Sequence, residues 1–278
     1  MDTELVGSVN DAAGIASSGR WKEFNGKIAH CTRNIEADNQ WHFMLFGSMW
    51  HQTCSEYHAL KDSYSAPSGN DLSLLAWRAR NLLELRIWAT YFCRSEQNAR
   101  RIYEDAGRDG LDLFKALATW GRAADRVTDW ETKFKDADAI LRERAKEKGI
   151  DDLDGTFKAV RDAAEECGLG PDYRLQFKMF SKFAHPTAFQ LIAPVDDPSW
   201  KPFRDAIFSQ GCGLFALIFA GLENYLNSNA GQWETAASTG LPIRGSGSSG
   251  TETAFQNDLA PRGSIPRDCY CSRKPKRP

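Results

Sequence analysis

The sequence predicts an all-α fold, a bundle of about six or seven helices followed by a disordered C-terminal tail. Apolar residues recur at helical spacing through most of residues 31–228. No segment alternates apolar and polar residues between hairpin turns, as strands would. Past Asn229 the composition shifts to Gly, Ser, Thr, Pro and Arg, which cannot bury enough apolar area to order itself. With 42% hydrophobic residues, nine Trp and sixteen Phe among them, the 278 residues can fill a substantial core.

Residues 1–30 are rich in Gly, Ser, Asn and Ala and predict a loosely ordered arm, with a short helix around Trp21–Ile28. Residues 31–228 form the predicted bundle. Its first long helix runs from about Ile35 to Leu60, with Trp41, Met44, Leu45, Met49, Trp50 and Tyr57 around it, and Ser65–Gly69 ends it. Asn70 or Asp71 caps a central helix that reaches about Asp105, where Gly107 and Gly110 stop it. A third helix begins near Leu111. Thr128 and Glu131 spell a capping box for a charged, solvent-facing segment that ends at Gly149. Further helices are expected over Asp152–Cys167, closed by Gly168, and over Tyr173–Ala184, stopped by Pro186. Ser199 caps the last, Trp200 to about Asn227. Residues 229–278 are the predicted tail, in which Leu259–Ser264 resembles an engineered protease-cleavage sequence.

A formal charge of -2 and a pI near 6.2 provide no global basic field, so any RNA or phosphate contact must come from local arginines. The first residues lack the basic start and apolar run of a secretory signal. The longest apolar stretch, Gly211–Leu222, falls short of the roughly 20 residues a span requires and predicts a buried core helix, with no membrane partner. Seven scattered cysteines without Cys-x-x-Cys spacing fit reduced thiols in the cytoplasm. No phosphate loop or metalloprotease helix is present, and no cofactor is expected.

Two polar lines run along otherwise apolar helices. Arg80, Glu84, Tyr91, Arg94, Asn98 and Arg101 make one; Arg174, Lys178, Ser181 and His185 make the other. On the central helix Leu72, Leu75, Ala76, Ala79, Leu82, Leu83 and Ile87 form a core arc, while Trp77, Leu85, Trp88 and Phe92 leave little circumference polar. A helix so covered must partner its charges. Arg86 lies inside the apolar arc and calls for an acidic or carbonyl partner in a structural role. His185, four residues after Ser181, ends its helix beside Pro186, where the dipole favours an imidazolium. His51, Cys54 and His58 share a face and offer zinc-ligand types, but no fourth ligand is near in sequence and no metal site is assigned.

The Arg80/Glu84 pair and the Ser181-x-x-x-His185-Pro186 turn resemble those of a bacterial helical family of unknown function over about Leu72–Ile192. That family is distantly similar to the HEPN superfamily of helical toxin and phage-defence domains, some of which cleave RNA without metal. The resemblance implies a homodimer and a possible ribonuclease. HEPN nucleases place an arginine and a histidine four to six residues apart on one helix. Here that position holds Ser181, and Arg174 lies further away.

The expected site brings the two lines together. His185, Glu84 and Arg80 are the catalytic candidates: His185 as general acid or base, Glu84 orienting it, Arg80 stabilising developing charge. Tyr91, Arg94, Arg101, Ser181 and Arg174 are the ligand-binding candidates. Several arginines around one glutamate suit RNA or a phosphorylated small molecule. The alternatives are a protein-interaction module in which these residues only lock helices together, and a nucleotide sensor.

Overall fold

The computed structural model describes residues 2–35, 40–65, 72–123, 127–147, 149–150, 153–185 and 198–233, all within one compact unit. Among them there is no strand. The helices are α1 (Asp2–Ser17), α2 (Gly19–Asn34), α3 (Gln40–Ser65), α4 (Leu72–Phe92), α5 (Glu96–Ala123), α6 (Val127–Glu147), α7 (Val160–Glu166), α8 (Gly170–Ala184) and α9 (Lys201–Trp233), the last preceded by a 3-10 turn over Pro198–Trp200. The fold is all-α, with more helices than the periodicity alone suggested.

Helix α4 is central. Its predicted arc is buried, Tyr91 and Phe92 are buried with it, and it packs most extensively on α9 and α8, then on α3. Helix α9 supplies the other side of the core through Ile207, Leu214, Phe215, Ile218, Phe219, Leu222 and Leu226. Where α2 and α3 meet α9 sits an aromatic cluster in which Tyr57 stacks on Phe215 at 3.9 Å and Phe24 meets Trp50 edge-on at 4.9 Å. By length and composition α9 could cross a membrane, because its apolar character extends over Lys201–Asn229, beyond the stretch singled out in the sequence. In this fold half of that window is buried.

Four expectations are corrected. The N-terminal residues are helical rather than a loose arm: Ala12, Phe24 and Cys31 enter the core, so tertiary burial outweighs a weak local pattern. The central helix breaks at Cys93–Ser95 because Ser95 caps a new helix, its Oγ accepting from the Asn98 backbone N–H at 3.1 Å. Gly107 then lies inside α5 and ends nothing. A Cβ there would stand 2.9 Å from Leu153 Cδ2, so this glycine lets residues 153–159 pack closely. The segment expected to be helical from Asp152 forms only α7, which Gly168 terminates with φ of 74°. The first residues of the expected tail, through Trp233, belong to α9. Asn70, Asp71, Pro186 and residues 234–278 lie outside the described residues.

The α3–α9 contact rests on Gly211. A Cβ at this position would lie 2.5 Å from Leu60 Cδ2, and Leu60 is fully buried with no room to yield. Gly211→Ala is therefore expected to destabilise the protein by about 1–3 kcal/mol despite alanine's better helix propensity. Urea unfolding of the two proteins measures the difference.

Candidate functional site

Helix α8 lies along α4 with Phe180 and Phe183 in the core, and Phe177, one turn before Phe180, lies beside the Arg80 ridge. His185 is the C-cap of α8 and has extended backbone, as a residue before proline prefers. The imidazole thereby reaches back over α4. Arg80 Nη1 stands 3.0 Å from His185 Nε2, across 105 residues of sequence. A guanidinium only donates, so Nε2 must present its lone pair and the ring proton belongs on Nδ1. Arg80 Nε donates to Glu84 Oε1 at 3.2 Å, and the guanidinium carbon lies 4.4 Å from the centre of the Phe177 ring. Glu84 thus orients Arg80 rather than His185, a correction to its expected role.

Three aromatic residues frame this cluster. Trp77, one turn before Arg80, meets the His185 ring edge-on at 6.3 Å. Tyr173 and Phe177 pair at 5.1 Å on α8. Burial pushes the Tyr173 hydroxyl up, Glu84 pushes the same way, and Arg80 and Arg161 oppose it, which places the phenol in the same electrostatic neighbourhood. The Ser181 hydroxyl, one turn before His185, is buried without a hydrogen-bond partner among the described residues. The sequence places Trp77 on the apolar circumference of the central helix and Phe177, with Phe180 and Ala184, on the core arc of the later one, and gives Tyr173 no role. Their spacing from Arg80 and His185 was visible, but the facing of α4 and α8 was not.

The rest of the predicted site lies elsewhere. Tyr91, at the end of α4, and Arg94 and Arg101, past the break at Cys93–Ser95, face α7 and the segment before it. Arg94 donates to the Glu166 carbonyl and Arg101 to the Thr156 carbonyl. Asn98 Nδ2 donates to the Tyr91 carbonyl at 3.0 Å. Lys158 pairs with Glu166 and sits 5.5 Å above the Tyr91 ring. Burial pushes the Tyr91 hydroxyl up, reinforced by Glu166 and opposed by Lys158 and Arg101. Arg174 pairs with Glu165 on the outer side of α8, and Lys178 is exposed. The two polar lines therefore enclose no common chamber: Arg80, Glu84, Ser181 and His185 share one locality, while Tyr91, Arg94, Arg101 and Arg174 anchor α7.

Arg86 is half-buried; burial lowers its affinity for the proton and Asp172 opposes that effect. His51 and His58 are exposed, and burial pushes the Cys54 thiol up to about 12. No group of three His, Cys, Asp or Glu side chains is gathered for a metal among the described residues. A cavity of about 560 Å³ opens at the α4–α5 break, lined by His42, Cys93, Arg94, Ser95, Asn224 and Tyr225 among others. It includes none of Arg80, Glu84 and His185. Chemistry is better placed at that cluster, where an arginine, a carboxylate and an imidazole converge, than in the cavity, where Tyr225 already hydrogen-bonds His42 at 3.1 Å.

Residues 74–198 match the model of a family of unknown function (DUF5677), a stretch that holds α4 through α8 apart from the first two residues of α4, and so contains the whole cluster. No curated protein and no solved structure is significantly similar to the chain.

Proposed function

We propose that the α4–α8 cluster recognises a phosphodiester of RNA and that the protein is a metal-independent ribonuclease of the HEPN-like kind found in toxin and phage-defence systems. The observation that carries this reading is the Arg80–His185 contact. An arginine and a histidine that are not neighbours in sequence are brought within hydrogen-bond reach, the arginine coming from a second helix. The open surface around His185 suits a polymer better than an enclosed small-molecule site would.

RNA carries its own nucleophile, so a base and a charge stabiliser are sufficient. A phosphate drawing Arg80 toward itself frees His185 Nε2, which takes the proton of the 2′-hydroxyl. The O2′–P bond forms, the P–O5′ bond breaks, and the leaving 5′ oxygen recovers a proton from water. Arg80 donates to the non-bridging oxygens as charge builds on them, and Glu84 holds the guanidinium on this ridge.

The test is cleavage of single-stranded RNA by the wild type and by His185→Ala. The variant is expected to lose about 10²–10⁴ of the rate. Equal cleavage by both, or none by the wild type, overturns the catalytic reading. A purely structural lock is favoured by one observation, that Arg80 already engages Glu84, Phe177 and His185 together. Thermal melting of the Arg80 variant separates the two readings.

A further inference from the structure

We infer that Trp77 is a base-stacking platform, so that the site takes a nucleotide unit, base and phosphate together, rather than phosphate alone. This rests on the reading of Arg80 and His185 as a phosphate site. Trp77 is 45% exposed although it lies on the central helix of the core, where its neighbours Leu75, Ala76 and Ala79 are almost wholly buried. Its ring and that of His185 meet edge to face with centroids 6.3 Å apart, beside residue surface open to solvent.

The register also fits. Trp77, Arg80 and Glu84 follow one another at steps of three and four along one ridge of α4. The rise from Trp77 to Arg80 is roughly 4.5 Å, so the two side chains leave neighbouring turns of the same ridge. Arg80 also lies over the Phe177 ring, which keeps the guanidinium on this ridge of α4 when it turns to a ligand. A phosphate on Arg80 and His185 therefore places the attached base beside an exposed indole. Aromatic faces contribute to single-strand binding through any base, so this platform gives affinity for single-stranded RNA without strong sequence preference. A base paired in a duplex has no free face to offer, so double-stranded RNA is disfavoured.

Fluorescence anisotropy with two labelled probes of equal length tests this. One is single-stranded 2′-O-methyl RNA, which lacks the nucleophile and stays intact; the other is its abasic ribose-phosphate counterpart. Wild type is expected to bind the RNA about tenfold more tightly than the abasic probe. Trp77→Ala should remove that preference and leave abasic affinity unchanged, and Trp77→Phe should retain most of it. Wild type binding both probes equally leaves the phosphate site standing and overturns the stacking role. So does a Trp77→Ala protein that keeps the preference, or loses both affinities in parallel. If the wild type binds neither probe, the phosphate site itself fails, and this inference with it.

Discussion

Arg80→Ala is expected to lower RNA cleavage by about 10²–10³ while shifting the melting temperature by only a few degrees. The first number follows from removing a charge-assisted donor aimed at developing phosphate charge. The second follows from exposure: the Arg80 and Glu84 side chains are 23% and 31% exposed, and such a pair one helical turn apart contributes a few tenths of a kcal/mol. Loss of the contact with Phe177 adds about 0.5–1 kcal/mol. Arg80→Lys keeps the charge but not the fork that serves Glu84 and His185 together, so its rate should fall between wild type and alanine. A melting loss above about 10 °C for Arg80→Ala would instead identify the cluster as the lock between α4 and α8.

Asp105→Ala is expected to give the largest loss of stability, about 3–5 kcal/mol. Asp105 is 8% exposed and accepts from Arg108 Nη1 at 2.6 Å, with Arg108 itself 3% exposed. Its second oxygen accepts from the Lys158 backbone N–H at 2.9 Å, and Arg101 Nε lies 3.5 Å away. This carboxylate is therefore the nearer of two, with Glu104 at 3.7 Å, that neutralise a buried guanidinium, and it fastens the segment before α7 to α5. Asp105→Asn keeps an acceptor for Lys158 and loses the charge, so it should cost less. Thermal unfolding ranks the three proteins. Well below the melting transition, Asp105→Ala should still bind RNA, because neither α4 nor the His185 end of α8 depends on this carboxylate.

The helices were legible where their signals are local. The buried arc from Leu72 to Ile87 was given by spacing alone, as was the end of α7 at Gly168. Ser95 was legible in principle: with Asn98 three residues on it is a capping pair, but without Gly or Pro beside it the apolar periodicity ran straight through. That single break changed the site, since it rotates Arg94, Asn98 and Arg101 away from the Arg80 ridge. Of the N-terminal helices only the Trp21–Ile28 part of α2 was legible, because the glycines and serines around it weaken local propensity and packing of Phe24 and Cys31 compensates. Arg80, Glu84, Ser181 and His185 stood out as charged or polar residues on apolar helices. The aromatic half of the site did not, because Trp77 and Phe177 look like core until α4 and α8 are seen side by side. Asp105, Lys158 and Glu166 carried no sequence signal beyond ordinary charge.

Imidazole-detected NMR of the five histidines during titration with single-stranded 2′-O-methyl RNA tests the central claim most directly. In the free protein the ring of His185 should carry its proton on Nδ1, with Nε2 accepting from Arg80. On titration the His185 resonances should move as Arg80 turns to the phosphate, while those of His30, His42, His51 and His58 stay in place. RNA binding that leaves His185 unmoved, or no binding at all, contradicts the account.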